Sequence, residues 1–223
     1  MISRADLESP EDLMGMRQHL NALIREFDDD EIYERRGIVK TLQEEYRPLY
    51  YLAQTLPGFE CAHLTKENTS GPDAYIQLLN GMRLGIQITT AGEGHQSHLQ
   101  RIELSRGGPV FPDVEQPMLG RSYQEHRILG GGRTLTSREA NEEKLLQALR
   151  TAVSLKVKKF RAGGDLLLIA SNASAIALSS EWRCNLADSF TDADILPYGA
   201  AYVIISDQCV PLVALQAQNG FGA

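Results

Sequence analysis

Asn80 followed by Gly81, set between the apolar runs of DAYIQLLN and GMRLGIQITT, constrains this chain more than any other feature. Both residue types accept positive φ at little cost, so the dipeptide predicts a tight two-residue turn joining antiparallel strands from Ala74 to Leu79 and from Met82 to Thr89. A fixed hairpin excludes an all-helical bundle. It also lets residues at its open end approach one another, Asp73 from one side and Gln87 to Thr89 from the other.

Helical patterns flank the hairpin. Ser9, Pro10, Glu11 and Asp12 read as an N-cap, a first-turn proline and a capping-box acid, and Leu13, Met16, Leu20, Leu23 and Phe27 follow at helical spacing. The acidic run from Asp28 to Glu31 ends that stripe as a solvated turn. A second pattern spans about 34–56, with Ile38, Leu42, Leu49, Ala53 and Leu56 on one face and Pro48 kinking or splitting it. Glu45 falls on or beside that apolar face. A carboxylate there either reaches water from the edge of the stripe or points into a site, and the spacing leaves both open.

PGFECAHL alternates as a short strand before the hairpin. The stretch 91–132 is polar and rich in Gly and Pro, with LQRIEL as its one candidate element. Thr136 with Glu139 forms another capping box, and Leu145, Leu149, Ala152, Val153 and Phe160 mark a long amphipathic helix ending near Arg161. DLLLIAS, apolar throughout, reads as a strand covered on both faces. A weaker helical stretch over about 176–190 precedes AAYVIIS and VPLVAL, which read as a final hairpin separated by Asp207, Gln208 and Cys209.

This order predicts an α/β fold, a mixed sheet with helices on its faces. We expect a single domain over 1–223: an N-terminal helical segment (about 9–35), a core (about 36–171) and a C-terminal helix and β-hairpin extension (about 172–217).

Hydrophobic residues make 43% of the chain, enough for a sizeable core, while a net charge of −7 excludes a generally basic nucleic-acid coat protein. Binding of DNA or RNA would need a local basic patch, or metal ions bridging carboxylates to phosphates. Three cysteines without C-x-x-C spacing argue against a disulfide framework and a thiolate zinc site, so a reducing, cytoplasmic setting is expected. The sequence MISRADLESPEDL is charged where an export signal needs apolar residues, and no run reaches the roughly 18 apolar residues of a membrane span. No membrane partner is expected.

Pro72-Asp73, the hairpin, and Gln87-Ile88-Thr89 on its second strand resemble the PD-(D/E)XK nuclease-like superfamily, in which an Asp opening one strand and an acid-x-Lys on its partner grip a divalent metal. The resemblance extends in order over about 36–171, through a preceding helix offering Glu45 or its neighbour Glu44 and a following helix and strand. It implies a restriction-endonuclease-like mixed β-sheet flanked by helices, acting as a metal-dependent nuclease that hydrolyses phosphodiester bonds in DNA or RNA with Mg²⁺ or Mn²⁺. Asp73 would be the principal metal ligand, with Gln87 and Glu45 completing the site and the Ile88 carbonyl in reach. Gln87 stands where the family has an acid, and Thr89 where it has the lysine that lies beside the attacking water. A hydroxyl cannot place positive charge there. Lys156 falls on the apolar stripe of its helix and is the candidate substitute; snorkelling along the helix edge is the competing account of that position.

Arg150, Lys156, Lys158, Lys159 and Arg161 concentrate positive charge at one helix end, where cations offset the helix dipole and could also hold a nucleic-acid backbone. His95 and His98, with Glu93 nearby, lack an evident third ligand and read as loop residues. Gly130 to Gly132 lack the Walker lysine and spacing and read as a loop. The other functional class is a catalytically inactive nuclease-like fold serving as a protein- or nucleic-acid-binding module, which the Gln87 and Thr89 departures suit. The oligomeric state is open, a homodimer included.

Overall fold

The hairpin forms with a different loop from the one its dipeptide suggests. In the computed structural model, which describes residues 2–27, 37–66, 70–91, 118–119, 127–128, 137–160, 164–171 and 178–215, Leu78 N donates to Met82 O at 2.9 Å and Gly81 N to Leu78 O at 2.8 Å. Leu79, Asn80 and Gly81 therefore make a three-residue loop, with Gly81 at φ 82° as its left-handed residue and the Asn80 side chain accepting from Met82 N at 2.9 Å. Burial explains the correction. The observed register pairs Ala74 with Ile86 and Ile76 with Leu84, whereas a two-residue turn would slip every pair by one and set these apolar side chains against Gly85 and Gln87.

The strands in chain order are β1 (Phe59–Leu64), β2 (Ala74–Leu78), β3 (Arg83–Ala91), β4 (Met118–Leu119), β5 (Arg127–Ile128), β6 (Leu166–Ser171), β7 (Ala200–Ile205) and β8 (Gln208–Val213). Six of them form one mixed sheet, β1-β2-β3-β6-β7-β8, and β4 pairs with β5 separately. β3, β6 and β7 run parallel, while β1-β2, β2-β3 and β7-β8 are antiparallel. The C-terminal hairpin thus continues the sheet. Its turn is Ser206-Asp207, so Gln208 and Cys209, expected in the turn, belong to β8.

The helices are α1 (Arg4–Leu7), α2 (Leu13–Glu26), α3 (Gly37–Thr41) running through a π-helical turn (Leu42–Tyr46) into α4 (Arg47–Thr55), α5 (Arg138–Lys158), α6 (Ser180–Asn185) with a 3-10 turn (Leu186–Ser189), and α7 (Asp192–Ile195). Among the described residues no helix is long and apolar enough to cross a membrane. Ser9 does not cap α2. Glu11 and Ala62 exchange two backbone hydrogen bonds at 2.9 Å, which holds the chain extended to that point, and Asp12 becomes the cap, accepting from Gly15 N at 2.8 Å. Likewise Ser137 caps α5 by accepting from Ala140 N at 3.2 Å; Thr136 lies outside the described residues. Pro48 stands just past the π-helical turn, and the helical run continues beyond it to Thr55 rather than ending there.

The sheet is the middle of three layers. Leu7, Met16, Leu42, Tyr46, Leu49 and Leu52 pack on one face, against Ile76, Ile86, Leu166 and Leu168 among others. Leu149, Ala152 and Val153 of α5, with Leu186, Phe190 and Ile195, cover the other face against Leu167, Ile169, Ala201 and Val203. Alternate residues of β6 enter opposite layers, so this strand is apolar throughout. Each fully buried leucine contributes roughly 1.5–3 kcal/mol, and Leu149→Ala would undermine the α5 layer first.

Candidate active site

Asp73 stands at the open end of the hairpin, immediately before β2. Its backbone N donates to Ile86 O at 2.8 Å, and its Oδ2 accepts from Ile88 N at 2.7 Å. The carboxylate replaces a backbone acceptor of the ladder and is clamped beside Gln87. Gln87 is 1% exposed, one of two buried polar or charged side chains among the described residues, and its Nε2 donates to Gly71 O at 3.3 Å. That bond ties the loop carrying Pro72 and Asp73 to β3.

The parallel register sets Gln87 beside Leu167 and Thr89 beside Ile169, and both leucine and isoleucine face α5. Gln87 and the half-buried Thr89 therefore share the α5 face. Lys156 follows Leu149, Ala152 and Val153 on the inner side of α5, and its Nζ lies 3.3 Å from Asp73 Oδ2, with the two side chains 24% and 26% exposed. Two residues 83 positions apart are brought into one ion pair. Buried Tyr198 donates its hydroxyl to Lys156 O at 3.4 Å and packs edge-on against Phe160, holding the end of α5.

Glu45 lies in the π-helical turn, a geometry that inserts a residue into the helical repeat and recurs at functional sites. Its Oε2 accepts from Arg4 Nη1 at 3.1 Å. The same guanidinium donates to Thr41 Oγ1 at 3.2 Å and to Thr65 O at 3.0 Å, and Thr65 Oγ1 donates in turn to Pro72 O at 2.8 Å. Glu45 and the Pro72-Asp73 loop are thus linked through Arg4 and Thr65, and each acid is met by a cation of the chain itself. Sequence reasoning missed Arg4, Thr65 and Gly71, since no local pattern distinguishes them.

Lys158 and Lys159 are exposed at the end of α5. Lys159 N also caps the helix, donating to Leu155 O at 3.2 Å and Lys156 O at 3.1 Å. His95, His98, Glu93, Gly130 to Gly132 and Arg161 lie outside the described residues. Among the described residues no group of three or more His, Cys, Asp or Glu is placed to hold a metal ion. The Asp73 carboxylate instead meets the Ile88 N–H and Lys156 Nζ, with the Gln87 amide alongside bonded to Gly71 O. Comparison of the chain with protein-family models, with curated proteins and with solved structures gives no match.

Proposed function

We propose that the chain is a metal-dependent nuclease of restriction-endonuclease-like fold, hydrolysing phosphodiester bonds in DNA or RNA. The observation that carries this reading is the 3.3 Å approach of Lys156 Nζ to Asp73 Oδ2, which brings a lysine to the carboxylate although Thr89 occupies the expected position. Mg²⁺ typically keeps several waters and takes one or two carboxylates together with substrate phosphate oxygens. Asp73 suits such a sparse hard-oxygen set for Mg²⁺ or Mn²⁺, and the Gln87 amide oxygen and the Ile88 carbonyl would complete it; Glu45 would join only by exchanging its Arg4 partner. When bound, the ion would stabilise phosphate charge and lower the pKa of a coordinated water.

The chain's own contribution is pre-organisation. The Ile88 N–H fixes the Asp73 carboxylate before substrate arrives, so little reorganisation is needed at the moment of reaction. Lys156 donates to the attacking water or to a phosphate oxygen from a position anchored by the buried face of α5. Lys158 and Lys159 hold flanking phosphates. The test is cleavage of mixed DNA and RNA substrates with Mg²⁺ or Mn²⁺ by wild type, Asp73→Ala and Lys156→Gln. Loss of at least about 100-fold in both variants is expected from removing a positioned charge or ligand. Equal activity in all three proteins, or none in wild type, overturns the reading.

A second reading is favoured by the lack of a three-acid cluster among the described residues and by neutral Gln87. On it the chain binds nucleic acid or a protein partner without cleaving. Binding that is indifferent to divalent ions and to Asp73→Asn would select it.

A further inference from the structure

On the α5 side of the sheet, three adjoining strands carry His63, Tyr75 and Arg83. His63 is the β1 partner of Tyr75 in β2, with ring centroids 5.8 Å apart and planes inclined by 34°. Tyr75 in turn pairs with Gly85 of β3, and the Arg83 guanidinium lies over the tyrosine ring, 3.7 Å from its centroid. The adjacent residues on the opposite face, Ala62, Leu64, Ala74, Ile76, Leu84 and Ile86, are buried. His63 and Tyr75 stay half-buried, and Arg83 is exposed.

A planar cation backed by an aromatic ring presents a flat, weakly hydrated face with donors at its rim, the kind of surface on which unpaired bases stack. Burial and the charge of Arg83 hold the His63 ring below the usual histidine range, so at neutral pH it adds a flat uncharged neighbour.

The position of this layer relates it to the candidate site. Asp73 precedes Tyr75 by two residues and lies about 7 Å along the strand by the usual rise. A Cβ added at Gly71, whose carbonyl receives the Gln87 amide, would stand 3.9 Å from the Tyr75 hydroxyl. The layer and the carboxylate are therefore within one nucleotide's reach. In a chain of net charge −7, exposed Arg83 offers positive charge to a phosphate strand at one side of this region, while Lys156 on the other is shared with Asp73 and the Asp165 carboxylate is held by Gly85 N at 2.7 Å.

We propose that Arg83, backed by Tyr75 and flanked by His63, is a stacking platform for an unpaired base of a single-stranded nucleic acid whose neighbouring phosphate lies at Asp73 and Lys156. This rests on the nucleic-acid reading above and narrows it. A duplex keeps its bases stacked on each other and offers none to the platform, so single strands and frayed ends are the preferred ligands.

The experiment is fluorescence anisotropy with labelled oligothymidylate, an abasic oligomer of the same length and a duplex, using wild type, Arg83→Ala, Arg83→Lys, Tyr75→Ala and Tyr75→Phe, with circular dichroism verifying the fold of each. Wild type should prefer oligothymidylate to both other ligands, and Arg83→Ala and Tyr75→Ala should lose about 5- to 100-fold, the range for one stacked base. Arg83→Lys keeps the charge without the plane and should not restore binding, while Tyr75→Phe should. Wild-type binding that does not distinguish oligothymidylate from the abasic strand, or full rescue by Arg83→Lys, overturns the platform alone. Failure of wild type to bind or cleave any nucleic acid overturns the nuclease proposal as well.

Discussion

Removing the Lys156 charge tests the contact on which the candidate site depends. Nζ and Oδ2 are 3.3 Å apart, and each side chain is about a quarter exposed. At that separation the gross attraction is about 5 kcal/mol for an effective dielectric near 20, and about 1.3 kcal/mol if water screened the pair completely. Partial exposure places it between these limits. Stripping water from both groups and immobilising a long lysine stem then subtract most of the larger figure, leaving a net coupling of about 1–2 kcal/mol, in the range of charge-assisted hydrogen bonds.

The two partners are not equivalent. Asp73 also accepts from Ile88 N, so Asp73→Asn should cost about 2–3 kcal/mol and Lys156→Gln about 1–1.5 kcal/mol, the double variant costing less than their sum by the coupling. Urea unfolding at pH 7 followed by circular dichroism measures each midpoint, with an unchanged slope showing that only stability moved. Raising the salt from 0.1 to 1 M shortens the Debye length from about 10 to about 3 Å and should reduce the coupling without abolishing it. A coupling below about 0.3–0.5 kcal/mol, the limit at which independent sites simply add, would mean the pair does not form in solution. Lys156 would then be a snorkelling surface residue.

Gly81→Ala forces a side chain into the left-handed region at φ 82° with nothing within 4 Å to clash, so it should cost about 1 kcal/mol in the same assay through backbone strain alone; an unchanged midpoint would refute the three-residue loop. Burial pushes the Cys209 thiol from 9.0 to about 11, opposed in part by the neighbouring Thr55 side chain. A raised acid keeps its stabilising contribution below the unfolded value and loses it as pH rises through the folded one, so about 2 kcal/mol should vanish between pH 9 and 11. Comparison with Cys209→Val isolates this loss from those of Tyr46 and Tyr202, whose pKa values are also raised, and parallel stability curves for the two proteins would refute the assignment.

The parts of the fold legible in the sequence are those that local pattern dictates. Periodicity placed α5, the apolar run placed β6, and the dipeptide placed the hairpin. Two of the errors came where a distant contact overruled a local signal. Ser9 followed by Pro10 is a good helix start in isolation, but pairing of Glu11 with Ala62 keeps that segment extended until Asp12. Asn80-Gly81 fits a two-residue turn by propensity, yet burial of Ala74 and Ile76 selects the other register. The π-helical turn around Glu45 leaves no sequence mark, since it differs from an α-helix by one inserted residue.

The candidate site divides in the same way. Asp73 and Gln87 meet through one hairpin and could be anticipated from it. The approach of Lys156 follows from two steps: helical spacing puts it on the inner face of α5, and a parallel β3-α5-β6 connection lays that helix across the strands bearing Gln87. Arg4 could not be anticipated, because its meeting with Glu45 joins segments that share no pattern. The structure also gives a physical reason for glutamine at position 87. The side chain is 1% exposed and lies beside a half-buried aspartate whose nearby cation is already engaged, so a carboxylate there would be a buried anion next to another acid and would need its own counter-charge. The neutral amide avoids that cost and bonds the Gly71 carbonyl, which a carboxylate could not do. Burial of position 87 and its neutral amide therefore go together, and on the reading proposed above a metal held at Asp73 would depend correspondingly more on water and substrate oxygens.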